Sequence, residues 1–105
     1  MENKTAFIGE MRERVGFVLA EIGKIPISQV TKSEILSICQ EITNILDKAD
    51  KLEDGEILEQ LRRQLSRFDV LINSIMGEKQ EMAAYNLLNT QQTELIGLVD
   101  EAEGP

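Results

Sequence analysis

A chain of 105 residues has the length of one domain, and a hydrophobic content of 42% supports a folded core. Nineteen acidic residues against eleven basic ones give a net charge of −8, which argues against binding a phosphate backbone or an anionic membrane surface. The lack of histidine removes the usual general base near neutral pH and the commonest metal ligand, and a single cysteine rules out an intramolecular disulfide and a Cys-rich zinc site.

The start, MENKTAFIGEMRER, has no basic stretch followed by an uninterrupted apolar run, and no run of ~18 apolar residues follows anywhere. The expectation is a cytoplasmic protein with no signal peptide and no transmembrane segment. Asn3-Lys4-Thr5 has the form of a glycosylation acceptor, which that location leaves unused.

The rest reads as helix, interrupted by few breakers. Ile8, Met11, Val15, Val18, Ile22 and Ile25 are spaced alternately by three and four, one face of a first helix over 5–24, with Phe7 and Leu19 widening it. Pro26 ends that run by pushing Ile25 out of helical geometry. Thr31-Lys32-Ser33-Glu34 has the form of a capping box at the head of a second helix over 32–53. Its seam is Ile35, Ile38, Ile42, Ile45, Ala49 and Leu52, with Cys39 and Leu46 beside it. Glu53-Asp54-Gly55 is the next break, and a link this short predicts antiparallel neighbours. A third helix over 55–84 carries Leu58, Leu61, Leu65, Phe68, Ile72 and Ile75 in the same spacing. Lys79 then falls in the seam two residues after Gly77, which predicts a weakening or a bend somewhere in 77–92. Tyr85, Leu87, Leu88, Leu95, Ile96, Leu98 and Val99 do not continue the earlier frame. They are read as a shorter fourth helix over 90–102, or a continuation of the third, with a frayed tail at 103–105. The fold class is therefore all-α: a single domain built as an up-and-down bundle of three long helices plus a shorter C-terminal helix, with coiled-coil-like packing.

No catalytic or metal site emerges. Glu10 with Glu13 and Asp47 with Asp50 have the i, i+3 spacing that can hold a divalent cation, but the seams place all four outward. Cys39 has no basic partner to make it a nucleophile and reads as a small core residue. Arg62, Arg63 and Arg67 form the only basic cluster. It is either a surface balanced by Glu59 or a docking patch for an acidic partner, such as the acidic tail of a second copy; 80–105 holds five acids and no base.

The least ordinary pattern lies on the first helix. Ala6, Gly9, Gly16, Ala20 and Gly23 recur on the 3/4 spacing opposite the apolar seam, with Phe17 beside them. Helical glycine costs ~1 kcal/mol against alanine, so the stripe is either a close-packed interface or a tolerated solvent face. A third helix unbroken to residue 84 would overhang its neighbours and expose Met76, Met82, Tyr85 and Leu88 as a second contact surface. The functional expectation is a non-catalytic interaction module without cofactor: an adaptor, assembly subunit or regulator. It would bind a protein partner or itself, as a homodimer, with no membrane or direct nucleic-acid contact. A small acidic escort chaperone for a helical client and an acidic DNA mimic are the alternatives.

Overall fold

The computed structural model describes residues 3–75 and 82–104. Among them the chain forms four α-helices and one short turn: α1 (Lys4–Ile22), α2 (Gln29–Asp47), a 3-10 turn (Ala49–Lys51), α3 (Asp54–Ile75) and α4 (Met82–Glu103). Each helix packs on its neighbours in the chain, and α4 closes on α1. The result is the all-α helical bundle that the seams predict. Ion pairs record the directions. Arg12 on α1 meets Asp47 at the end of α2 (2.7 Å), and Arg62 near the start of α3 meets Asp100 near the end of α4 (2.9 Å). Consecutive helices are thus antiparallel, in a body measuring 43 × 25 × 19 Å.

The seams of α2 and α3 enter the core as their spacing predicts. Ile35, Ile38, Ile42, Ile45 and Ala49 are buried, as are Leu58, Leu61, Leu65, Phe68, Ile72 and Ile75. On α1 the register shifts at one place: Phe7 takes the core position expected for Ile8, which is half-buried. The larger ring fills more of the space where α1 meets its neighbours, and packing at interior density favours it.

Helix ends differ from the sequence reading for local reasons. Asn3 caps α1, its Oδ1 accepting from the Ala6 amide at 3.1 Å. Ser28, rather than Thr31, caps α2: its Oγ accepts from the Thr31 amide at 3.2 Å, so the helix begins about one turn before the expected capping box. α2 stops at Asp47, and the 3-10 turn carries Ala49 into the core without further α-helix. Gly55 does not break the chain. It lies in the first turn of α3, where Asp54 and Glu56 place negative charge at the positive helix end.

The largest correction concerns the C-terminal third. Residues 82–84 belong to α4, not to a third helix running to 84, and α4 has 22 residues rather than a short span from 90. It is as long as α3. Its buried face is Ala84, Leu88, Gln91, Leu95 and Val99, with Gln92 alongside. A polar side chain occupies a core position, so the apolar frame looks broken in sequence although the helix is continuous. Nor is the tail frayed through 103. Gly104, at φ 84°, supplies the left-handed residue that ends α4. Gly77 and Lys79 lie outside the described residues.

Gln91 Oε1 is buried and has no hydrogen-bond donor among the described residues. Such an unsatisfied group costs ~1–3 kcal/mol. Replacing Gln91 by Met removes the polar atom at similar volume. The Gln91→Met variant is expected to melt about 4–8 °C higher for each ~1 kcal/mol recovered, measured by circular dichroism. A lower melting temperature would show that the amide is needed in the core.

Candidate functional site

The antiparallel bundle has two unlike halves. At the near end lie the start of α1, the end of α2, the start of α3 and the end of α4. Lys4 there pairs with Asp54 at 3.6 Å and donates to the Leu52 carbonyl at 3.4 Å. Arg12–Asp47 and Arg62 with Asp100 and Glu103 belong to the same half. Arg14–Glu94 (2.5 Å) crosses between α1 and α4 near mid-length. Every interhelix ion pair among the described residues therefore lies at the near end or near mid-length.

The far half is different. Six large hydrophobic side chains are exposed in the described chain: Phe17 (43%), Leu19, Val30 (70%), Leu36, Val70 (68%) and Met82 (60%). All lie in the far half, towards Ile22, Gln29, Ile75 and Met82. Leu19 on α1 and Leu36 on α2 are exposed to a similar degree. Between α2 and α3, Glu34, Ile38, Arg67, Val70 and Leu71 line a groove of about 260 Å³. A hollow of about 460 Å³ at the near end is lined by Leu58, Ala102 and charged groups, among them Arg62, already engaged by Asp100 and Glu103.

The small-residue stripe is exposed along its length: Ala6, Gly9, Gly16, Ala20 and Gly23 all face away from the core. A Cβ built on Gly9, Gly16 or Gly23 meets nothing within 4 Å, so no element among the described residues approaches the stripe closely at these glycines. Phe17 borders it and is partly exposed. The second expected surface does not assemble. Leu88 is in the core, Tyr85 is half-buried against it, and only Met82 is exposed. Met76 lies outside the described residues. α4 folds back along α3, and that covers the face an overhanging helix would have shown.

The arginine cluster is divided between three directions. Arg62 turns to α4, where hydrogen bonds to Asp100 and then Glu103 raise its pKa further and keep it charged. Arg63 pairs with Glu59 one turn back (2.9 Å), as the spacing predicts. Arg67 donates to Gln64 Oε1 at 2.7 Å and reaches the α2–α3 groove. The acidic tail that engages the cluster is this chain's own, and it engages Arg62 alone.

Glu10, Glu13, Asp47 and Asp50 are exposed as expected, and no group of three or more Cys, Asp or Glu side chains converges on a metal-sized site among the described residues. Cys39 is buried, and burial pushes its thiol up to about 11. Sequence reasoning missed Val30, Leu36 and Val70. Each sits one or two positions off an apolar seam, where a single hydrophobic residue carries no periodic signal. No family model matches the chain, and no curated protein or solved structure does either. No helix among the described residues is long and apolar enough to cross a membrane.

Two outcomes follow from this geometry. Gly16→Ala adds a methyl group into open space and removes helical glycine, so it is expected to stabilise the fold by ~0.5–1 kcal/mol in chemical denaturation. Destabilisation would mean that the stripe is covered in solution. Cys39 is expected to resist a disulfide reagent at pH 8 in the native protein and to react fully once the bundle is unfolded, because the buried thiol is protonated at that pH. Rapid native labelling would contradict its burial.

Proposed function

We propose that this chain is a non-catalytic protein–protein interaction module whose contact surface is the far half of the bundle. The observation that carries this reading is the segregation itself. Exposed Phe17, Leu19, Val30, Leu36, Val70 and Met82 share one half, while interhelix ion pairs lie towards the other. Single exposed hydrophobics are ordinary on a monomer, but their confinement to one region is the usual mark of a contact surface. The protonated, buried Cys39 supports the non-catalytic part of the reading. Nothing favours the escort-chaperone alternative, since Leu88 and most of Tyr85 are withdrawn from the surface on which it relied. The DNA-mimic alternative needs an unbroken row of carboxylates, and the exposed edge of α2 and α3 interleaves Glu34 and Glu41 with Arg63 and Arg67.

The reading is tested by placing a photo-crosslinking amino acid at exposed positions in living cells. Phe17, Val30 and Val70 sample the far half; Glu10, Asp50 and Glu101 sample the near half. Protein adducts are expected from the first set and not from the second. Equal yields from both sets, or none from either, would refute the interaction module as drawn here.

A further inference from the structure

We infer that the α2–α3 face is the site at which a second copy of this chain docks, with a two-fold axis running along the groove. The inference rests on the interaction module proposed above, names the partner for one of its faces, and extends that face beyond the far half to Lys48 and Glu56 at the near end.

The argument begins with the exposed edges of the two helices. On α2 and its C-cap, Glu34, Glu41 and Lys48 recur every seven residues and so share an edge. Val30 lies one turn before Glu34 on the same edge. On α3, the matching edge carries Val70, Arg67, Arg63 and Glu56. Glu34 and Arg67 line one groove, which anchors the antiparallel register. That register sets Glu41 near the level of Arg63 and Lys48 near the level of Glu56. The charges alternate along the face as acid, acid, base on α2 against base, base, acid on α3.

Within one chain these opposite charges flank the groove without pairing. No ion pair joins Glu34 to Arg67, Glu41 to Arg63, or Lys48 to Glu56; Arg63 takes Glu59 instead, and Arg67 takes the neutral Gln64. A second copy turned by 180° about the groove axis lays its α2 over this α3 and its α3 over this α2. Each charge then meets its opposite from the other molecule at the same level. The same rotation sets Val70 of each copy against Val30 of the other, two exposed apolar side chains at the mouth of the groove that Leu71 helps to line. This is the self-complementarity a two-fold interface demands: one patch serves both sides. Size also suffices. A face of a body 43 Å long and 19 to 25 Å across can supply the roughly 800 Å² per partner of a standard interface.

The outer stripe of α1 offers no comparable argument. It has no charge pattern that selects a copy of itself, and among the described residues nothing lies within 4 Å of a Cβ placed at its glycines.

The test is sedimentation equilibrium of the full chain over a wide concentration range, with circular dichroism confirming the fold of each variant. Wild type is expected to be a reversible dimer. Val70→Glu sets a carboxylate against the apolar Val30 of the other copy at both symmetric contacts and should weaken the dimer by about tenfold or more. Glu34→Arg and Arg67→Glu each oppose like charges and should weaken it by several-fold. The combined Glu34→Arg/Arg67→Glu exchange restores opposite charges across the interface and should return the dissociation constant to within about twofold of wild type. A monomer at every concentration overturns the inference. So does a dimer that none of these substitutions weakens, or an exchange variant no tighter than either single one. A monomer whose Val30 and Val70 positions crosslink to a different protein overturns the second copy alone and leaves the interaction module standing; no adducts at all overturns both.

Discussion

The bundle depends on α4 lying against both α3 and α1. Three helices of this length would leave one side of the core open. Met11, Phe68 and Ile72, all fully buried, owe that burial to a complete ring of four helices. Each such side chain contributes on the order of 1.5–3 kcal/mol by leaving water. The closing helix nevertheless carries a weaker apolar pattern than α2 or α3. It sets Gln91 and Gln92 into the buried face and answers with Leu88, Leu95 and Val99. Arg62 and Arg14 then hold α4 from both sides, through Asp100 and Glu103 on one and Glu94 on the other. Exposed ion pairs of this kind add little to stability, but they favour one register of α4 over its neighbours.

That arrangement explains the unlike halves. The charges that orient α4 and α2 gather at the near end and the middle, where helix ends bring Lys4, Asp54 and Asp47 into reach. The far half has fewer such pairs, and its rim is hydrophobic. A surface that leaves Val30 and Val70 in water at one end, while spending its ion pairs at the other, has a direction. Under the proposed reading, contact with another protein at the far half would remove that apolar area from water and leave the paired charges solvated.

The structure also divides what resembled a single basic cluster. Three arginines within six residues of sequence point to α4, along α3 and into the α2–α3 groove. Helical geometry separates Arg62 from Arg63 by ~100° around the axis, whereas Arg63 and Arg67 share an edge and are divided by their partners, Glu59 and Gln64. In the acidic C-terminal stretch, Glu94 has a counter-charge within the chain at Arg14, and Asp100 and Glu103 have one at Arg62.

Sequence by itself determined the class of fold, the α2 seam from Ile35 to Ala49, the α3 seam from Leu58 to Ile75 apart from buried Ile57, and the outward placement of Glu10, Glu13, Asp47 and Asp50; Leu52, expected on the α2 seam, lies past that helix and is half-buried. These follow from a 3.6-residue period, which depends only on each helix and not on what it meets. The exposed glycine stripe of α1 was legible for the same reason. Tertiary structure decided the rest. Whether Gln91 belongs to a core cannot be read from its polarity, since burial is conferred by α1 and α3 closing around it. The length of α4 hung on that one position. Ser28, in extended backbone just ahead of the helix, caps α2 in place of Thr31, its Oγ accepting from the Thr31 amide. The candidate surface was the least legible feature. Val30 and Val70 stand about forty residues apart in sequence, and only the antiparallel register of α2 and α3 sets them on one face.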